Sequence, residues 1–326
     1  MPQNDAPDTG AARRHRLRWW TELPLILLVY GAYSAGRLLA RGDVSTAVDH
    51  GLAILRVEKW LYLNAEHPLN RLFTAHAWLG VPADFWYASL HYLVTPALLI
   101  WLFRSRAVHY RAARTWLLVS TFIGLIGFTL LPTCPPRLLE PGHGFVDTMA
   151  QYSAYGWWGG DASAPRGLGG MTNQYAAMPS LHVGWALWCG VMLWRHGRTR
   201  TAKAAAVAYP LLTTVVVMGT ANHYFLDAVA GAVVMGAGFL LVRPVLRVAD
   251  AVGAWVRERA FGRDRFAPVA GRAEEAPVAG AGRSSPIVGA GCQTSTGERI
   301  PRQRKQHDEP STTPADADDG APAPAR

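Results

Sequence analysis

The chain has 326 residues, with 32 Lys and Arg against 23 Asp and Glu, and half of its residues are hydrophobic. Residues 23–244 hold only 25 charged side chains, about 11%, whereas a soluble domain carries roughly 25%, so a water-exposed domain surface is excluded there. The net charge of +9 is not gathered in a basic stripe on a polar domain, which argues against a soluble nucleic-acid binder. Three widely separated cysteines argue against a disulfide framework or a zinc ribbon.

Residues 1–22 form a basic segment, with four arginines before the pair Trp19-Trp20. A signal peptide also begins with basic residues and an apolar run. Here the apolar run continues to Leu39-Ala40, which favours an uncleaved membrane span. We therefore expect a cytoplasmic segment over 1–22 and a first span after it.

Six apolar stretches approach the length of about 20 residues that a bilayer crossing requires. The predicted spans are 23–40, 84–103, 115–132, 178–194, 204–221 and 223–242. Pro96 and Pro210 lie inside spans, where membrane helices tolerate proline. The sequence predicts an all-α integral membrane protein, a bundle of six transmembrane helices over residues 23–244.

Arginines indicate the orientation of this bundle, because basic residues concentrate in short cytoplasmic loops. The 104–114 and 195–203 loops are both rich in them, like the N-terminal segment. We expect a multi-pass protein of the cell membrane with both termini in the cytoplasm. The 41–83 and 133–177 loops then lie on the exoplasmic side.

Two amphipathic segments flank the spans. Residues 47–64 place Val48, Leu52, Leu55 and Leu63 near one helical face, and residues 245–261 repeat such a pattern. Each is either an interfacial helix on the bilayer surface or an ordinary connecting helix. After about residue 264, small, polar and charged residues dominate, so the remainder of the 245–326 region is predicted to be a disordered cytoplasmic tail.

Ionisable side chains near the outer ends of the spans are candidates for chemistry, because such groups are costly in a membrane. His182 follows Ser180 at the start of the fourth span, where a helix N-terminus suits a phosphate. His223 and Asp227 open the sixth span with i, i+4 spacing, and Asn222 before them is a plausible N-cap. A carboxylate so placed can accept the imidazole Nδ1–H and leave Nε2 available.

Arg137 lies just beyond the third span on the same side, and its planar guanidinium matches phosphate oxygens. With two imidazoles and an orienting carboxylate, it forms a set suited to phosphoryl transfer. No second acidic cluster that would hold a metal accompanies the set. The residues alone thus indicate a phosphate-ester site without a metal ion.

Two stretches, AAMPSLH (176–182) and NHYFLD (222–227), resemble signature motifs of the type-2 phosphatidic acid phosphatase superfamily. Together with PPRLL (135–139), GFVDT (144–148), NQYAAMPSLHVGWAL (173–187) and NHYFLDAVAG (222–231), they look most like its inositol phosphorylceramide synthase branch, the aureobasidin-resistance type. The resemblance implies a lipid substrate in the bilayer, a site on the exoplasmic side, and no metal or other cofactor.

The resemblance also implies a role for each matching residue. His223 would be the nucleophile that forms a phosphohistidine, and Asp227 would orient it. His182 would protonate the leaving oxygen and then activate the acceptor. Phosphate-binding residues would be Arg137 and Ser180, and residues that shape the site would be Asp147, Asn173 and Asn222.

The sequence departs from the phosphatase-type motifs at several positions. Val217 stands where the third motif has an arginine, Leu181 replaces a small residue, and the lysine and Arg-Pro pair of the first motif are absent. Fewer cations for a phosphate favour transfer of a phosphodiester-linked head group to a lipid hydroxyl. A lipid or polyprenyl phosphate phosphatase remains the alternative within the superfamily.

Two further classes stay open. One is a metal-dependent hydrolase with His182, His223 and Asp227 as ligands, and the other is a non-catalytic membrane scaffold or transporter. His91 lies within a span and is interpreted as an interior histidine, with a group in a substrate channel as the alternative. The aromatic pairs Trp86-Tyr87 and Trp157-Trp158 are interpreted as anchors at the membrane interface.

Overall fold

The computed structural model describes Trp20, Glu22, Pro24, Leu27, Gly31 and Ala35, and then residues 43–158 and 173–261 continuously. The first predicted span (23–40) lies almost entirely outside these residues, as do most of the 1–22 segment, the 159–172 part of the outer loop and the tail after 261. Within the described residues the chain forms α-helices and no strand. The helices are α1 (Val44–Trp60), α2 (Glu66–Ala75), α3 (Ala77–Ser105), α4 (Ala107–Leu130), α5 (Thr148–Gln151), α6 (Leu181–His196), α7 (Arg200–Gly219) and α8 (Phe225–Phe261).

Four of the described helices are long and apolar enough to cross a membrane: α3, α4, α7 and α8 as far as Arg259. They contain most of the second, third, fifth and sixth predicted spans. The fourth predicted span corresponds to α6, whose 16 residues fall short of the roughly 20 that span a bilayer. An all-helical, membrane-type fold is confirmed for the described part, and the number of six spans stays a prediction.

The helices extend further into the connections than the sequence suggested. Arg106 alone separates α3 from α4, and residues 107–114 of the predicted 104–114 loop are helical. Long arginine side chains can keep their charged ends in water while their stems lie along a helix, so a cluster of arginines does not end one. The 245–261 segment is likewise not a separate helix, because α8 continues through Pro244 to Phe261.

Helix α1 packs its buried face against the segment that follows α4. Asp43 caps it by accepting the Thr46 N–H at 3.3 Å, and its buried residues are Ala47, Gly51, Ile54, Leu55 and Glu58. Of the predicted face, Leu55 is buried and Val48 and Leu52 are partly buried against the same cluster, whereas Leu63 lies beyond the end of the helix. The short helix α2, which the sequence pattern did not predict, follows after a five-residue connection.

Indole N–H groups connect the apolar helices to one another. Trp116 on α4 donates to the Met235 carbonyl on α8 at 2.7 Å, and Trp188 on α6 donates to the Ala113 carbonyl on α4 at 3.0 Å. These carbonyls belong to helical backbone, so the bonds add to the helical hydrogen bonding. In an apolar environment a buried indole N–H needs such an acceptor.

A parallel β-bridge joins Thr133, after α4, to Ala176, before α6. Thr133 donates its N–H to the Tyr175 carbonyl at 2.7 Å and accepts from the Ala177 N–H at 3.3 Å. The bridge fixes the strand-like segment that leads into α6. It therefore fixes the direction of the Ala177 carbonyl, which belongs to the site.

Candidate active site

A tight turn between α7 and α8 carries His223. The N–H groups of Asn222 and His223 both donate to the Val217 carbonyl at 3.1 Å, and Ala221 adopts a positive φ of 53°. The prediction that Asn222 caps the helix is wrong. The helix begins at Phe225, so Asn222 lies too far from its first turn to act as the N-cap.

The imidazole of His223 is held through Nδ1. Nδ1 lies 2.8 Å from the Ala177 carbonyl oxygen and 3.4 Å from Oδ2 of Asp227. A carbonyl oxygen only accepts hydrogen bonds, so Nδ1 carries the proton. Nε2 is buried and has no hydrogen-bond partner among the described residues. In the neutral ring, the lone pair of Nε2 is thus available as a nucleophile.

Asp227 is completely buried and lies in the first turn of α8. Its Oδ2 accepts the Tyr224 N–H at 2.9 Å, whereas Oδ1 has no donor in the described part of the chain. We expected this carboxylate to be the acceptor for Nδ1–H, and the shorter contact to Ala177 corrects that expectation. The reason is that His223 precedes the helix, so the i, i+4 geometry of a helical face does not apply to the pair.

His182 is the second residue of α6 and is half-buried. Ser180 caps this helix, with its Oγ 3.5 Å from the Val183 N–H, and its own N–H donates to the Asp227 carbonyl at 2.9 Å. The His182 and His223 ring centroids are 5.7 Å apart. A phosphate bonded to one ring can then place an oxygen within reach of the other, about 2.6–3.2 Å from its nitrogen.

The rings of Tyr87 and His91, neither of which was predicted as a site residue, pack against His182. Tyr87 stacks on its ring with a centroid separation of 4.4 Å and an interplanar angle of 28°. His91, four residues further along α3, packs edge-on at 4.5 Å. Their i, i+4 spacing places both on one face of α3, and this shared face can be read from the sequence. Tyr87 is therefore part of the site, a contact that its interpretation as an interfacial anchor did not include.

A narrow cavity opens beside His182 between α3, α6 and α7. Its lining residues are Trp86, Tyr87, Leu90, His91, His182, Tyr209, Thr213 and Val217. Trp86 donates its indole N–H to Thr213 Oγ1 at 3.1 Å across this cavity's wall, so it too is not simply an anchor. Trp158 is fully buried and donates to the Met149 carbonyl, which also excludes an anchoring role for that residue.

Arg137 is buried against the turn that carries His223. Its backbone N–H donates to the Ala221 carbonyl, Nε donates to Asn222 Oδ1, and Nη1 donates to Asp147 Oδ2, each at 2.9 Å. Among the described residues nothing accepts from Nη2. Arg137 is thus pre-oriented by two side chains and retains donor capacity for an anionic group.

The remaining predicted residues serve the frame of the site. Asp147 caps α5 through Oδ1, which accepts the Ala150 N–H at 3.1 Å, while its other oxygen holds Arg137. Asn173 is buried and accepts the Tyr175 N–H at 2.9 Å. It therefore stabilises the segment that leads to Ala177.

Two buried glutamates lie behind Asp227, and the sequence pattern gave no sign of them. Glu58 of α1 and Glu66 of α2 are both fully buried. Burial raises the pKa of Glu58 to about 9, and the nearby carboxyl groups of Glu66 and Asp227 contribute to this shift. Burial likewise raises the pKa of Glu66. Within residues 43–158 and 173–261, no three His, Cys, Asp or Glu side chains are grouped as ligands for a metal ion.

Comparison with known protein families gave one finding. The model of the PAP2 superfamily matches residues 52–241, which is more than half of the chain and includes every predicted site residue. Comparison with curated proteins and with solved structures gave no match.

Proposed function

The chain belongs to the PAP2 superfamily, whose members are phosphatases and phosphotransferases acting on phosphate esters, and from this premise we propose a specific reaction for it. The protein transfers a phospho-head group of the inositol-phosphate type from one membrane lipid to the hydroxyl of another. The reaction proceeds through a phosphohistidine on His223 at the exoplasmic end of the bundle. Four long apolar helices and the family together make this a multi-pass membrane protein.

The observation that carries the proposal is the state of the His223 ring. The Ala177 carbonyl accepts a hydrogen bond from Nδ1–H, and Nε2 is buried without a partner in the described part of the structure. A histidine with a structural role normally uses both ring nitrogens when it is buried. A neutral, pre-oriented Nε2 beside a second histidine is what nucleophilic attack on phosphorus requires.

The first half-reaction follows from this arrangement. The Nε2 lone pair of His223 forms a bond to phosphorus, and the bond between phosphorus and the leaving lipid oxygen breaks. Protonated His182 gives its proton to that oxygen, so a neutral alcohol leaves. Asp227, 3.4 Å from Nδ1, stabilises the positive charge that develops on the His223 ring.

The second half-reaction reverses these steps with another alcohol. Neutral His182 takes the proton of the acceptor hydroxyl, whose oxygen bonds to phosphorus as the N–P bond breaks. The product is a new phosphodiester, and both histidines return to their starting states. Water in place of the lipid alcohol would give hydrolysis, which is the alternative within the superfamily.

The environment of Val217 supports transfer of a diester over hydrolysis of a monoester. Val217 is fully buried in an apolar cluster with Val183, Met218 and Ala228. The phosphate-binding arginine of the phosphatase-type motif is therefore replaced here by an apolar side chain. Among the described residues, Arg137 is the cation that is hydrogen-bonded to the turn carrying His223 and can bind the phosphate. A phosphodiester carries one negative charge and needs less compensation than a monoester dianion.

Trapping the covalent intermediate tests the proposal. The full-length protein is reconstituted in lipid nanodiscs with phosphatidylinositol carrying ³²P, and the acid-labile label on the protein is measured with and without ceramide as the acceptor. We expect label that disappears when an acceptor is added, together with a new labelled lipid. Release of free phosphate from a lipid phosphate monoester, without any acceptor, would favour the phosphatase alternative.

Matched variants separate catalysis from fold retention. His223→Ala should abolish labelling, whereas His109→Ala, an exposed histidine outside the site, should leave it unchanged. Equal lipid turnover by wild type and His223→Ala would overturn the proposal in favour of a scaffold or transporter. Loss of labelling after exhaustive chelation would favour the metal-dependent hydrolase.

A further inference from the structure

Three buried carboxyl groups interact with one another near the start of α8. Glu58 comes from α1, Glu66 is the first residue of α2, and Asp227 lies in the first turn of α8; all three are fully buried. Asp227 Oδ2 lies 3.4 Å from Nδ1 of His223, the proposed nucleophile. The two glutamates belong to elements outside the candidate membrane spans, and neither takes part in the reaction described above.

Glu58 supplies a cap to a helix other than its own. Its Oε1 accepts the Leu226 N–H at 2.6 Å, and Leu226 is the second residue of α8. The first N–H groups of a helix have no partner within it. Asp227 satisfies the Tyr224 N–H and Glu58 satisfies that of Leu226, so two carboxylates share the N-terminus that follows His223.

The other oxygens of this group lack donors from other residues. Oε2 of Glu58, both carboxyl oxygens of Glu66 and Oδ1 of Asp227 are buried without a hydrogen-bond partner among the described residues. Three like charges cannot all be retained in a buried region with so few donors. A proton placed between Glu58 and Glu66 supplies the missing donor and removes one charge.

We propose that Glu58 and Glu66 share a proton and are positioning residues for the reaction, holding the first turn of α8 and leaving Asp227 as the ionised carboxylate beside His223. The inference rests on the proposed function for its catalytic consequence, while the sharing of the proton is independent of it. Glu58 and Glu66 act through Asp227 and α8 and do not touch substrate.

The groups around the pair determine the direction of its pH response. Glu58 is influenced by Glu66 and Asp227, and Glu66 in addition by Lys59. Burial is the largest influence on both carboxyl groups, and it raises the pKa of Glu58 from 4.5 to about 9. A raised pKa in the folded state means that the contribution to stability is complete below about pH 4.5 and is lost as the pH rises towards 9.

The first test compares Glu58→Gln with Glu58→Ala in the nanodisc transfer assay. Glutamine keeps the carbonyl oxygen for Leu226 and a neutral donor for Glu66, whereas alanine has neither. We expect Glu58→Gln to keep at least half of the wild-type kcat at pH 7 and Glu58→Ala to lose about tenfold or more. Equal losses in both variants, or no loss in Glu58→Ala, would overturn the positioning role.

The second test measures the pH dependence of thermal unfolding in detergent. The Tm of the wild type should fall between pH 5 and 9 relative to that of Glu58→Gln, in which the titrating group is gone. Asp49→Asn, an exposed carboxylate on the same helix, should follow the wild type. Parallel curves for wild type and Glu58→Gln would overturn the shared proton. If the wild type transfers no phosphate ester at all, the proposed function fails, and these unfolding curves still decide the inference about the proton.

Discussion

The carbonyl oxygen of Ala177 lies 2.8 Å from Nδ1 of His223, closer than the nearest oxygen of Asp227 at 3.4 Å. The β-bridge between Thr133 and Ala176 fixes this carbonyl, so the tautomer of the nucleophile depends on the backbone of a segment 46 residues away. Asp227 then has two tasks, to cap α8 through the Tyr224 N–H and to stabilise charge on the ring.

Asp227→Asn should lower kcat far less than His223→Ala. The Ala177 carbonyl still sets the tautomer in Asp227→Asn, and what is lost is one interaction with a charged partner. Such an interaction contributes about 1.5–3 kcal/mol, which corresponds to roughly a 10- to 100-fold loss. Removal of a covalent nucleophile costs at least about 10⁴-fold. Single-turnover transfer rates for the two variants, measured at equal protein levels, compare them directly; similar losses would refute the role given to the carbonyl.

Arg137→Lys should impair turnover even though it preserves the charge. The guanidinium bonds to Asn222 through Nε and to Asp147 through Nη1, and a lysine ammonium cannot reproduce this two-point fixation. Charge-assisted hydrogen bonds contribute about 1.5–3 kcal/mol, so kcat/KM should fall about 10- to 100-fold. Initial rates over a range of lipid mole fractions give this value.

Arg56→Lys provides the matched control for that substitution. Arg56 is exposed on α1 and has no part in the site, so its kcat/KM should equal that of the wild type. A wild-type kcat/KM for Arg137→Lys would show that only the positive charge is required. The two-point orientation would then have no role in binding the phosphate.

The position of the two histidines could be predicted from the sequence because the apolar spans and the distribution of arginines place them on the same side of the membrane. His182 and His223 stand at the ends of apolar runs, and the arginine distribution assigns both ends to one side. Their ring separation of 5.7 Å accords with that placement. The Ala177 carbonyl could not be foreseen, since a backbone acceptor is present in every residue and only the β-bridge selects this one.

The burial of Glu58 and Glu66 could not be predicted from the sequence either. Glu58 lies on a helix whose alternation of apolar and charged residues reads as amphipathic, and a solvated glutamate and a buried one are the same letter in such a pattern. Its burial depends on α8 and the segment after α4 covering that face of α1. Tyr87 and His91 are a different case. Their i, i+4 spacing in the sequence places them on one face of α3, but the sequence does not show that this face packs against His182.

Tyr87→Ala should lower kcat about two- to tenfold, and Tyr87→Phe should retain most of it. Stacking at 4.4 Å restrains the His182 ring, and aromatic pairs contribute about 0.5–1.5 kcal/mol. Phenylalanine preserves the stacked face, whereas alanine leaves His182 free to change rotamer. Transfer rates at saturating lipid, measured across pH 5 to 8, test this. A Tyr87→Phe variant as slow as Tyr87→Ala would assign the effect to the hydroxyl group.

Gly231→Ala should destabilise the protein and reduce its activity together. A Cβ at Gly231 would lie 2.2 Å from the Ser180 carbonyl oxygen, so α8 and the start of α6 would have to separate. This separation would disturb the bond from the Ser180 N–H to the Asp227 carbonyl and displace His182 from His223. Overpacking of this kind costs about 1–3 kcal/mol, which thermal unfolding in detergent should detect as a lower Tm.

Gly236→Ala is the control on the same helix. A Cβ at Gly236 meets no atom within 4 Å, and alanine is favoured over glycine in a helix by about 1 kcal/mol, so this variant should have the Tm of the wild type or a higher one. Its transfer rate should be unchanged. The contrast between the two glycines separates the effect of close packing from that of helix propensity. If Gly231→Ala behaves like Gly236→Ala, the contact between α6 and α8 does not align the two histidines.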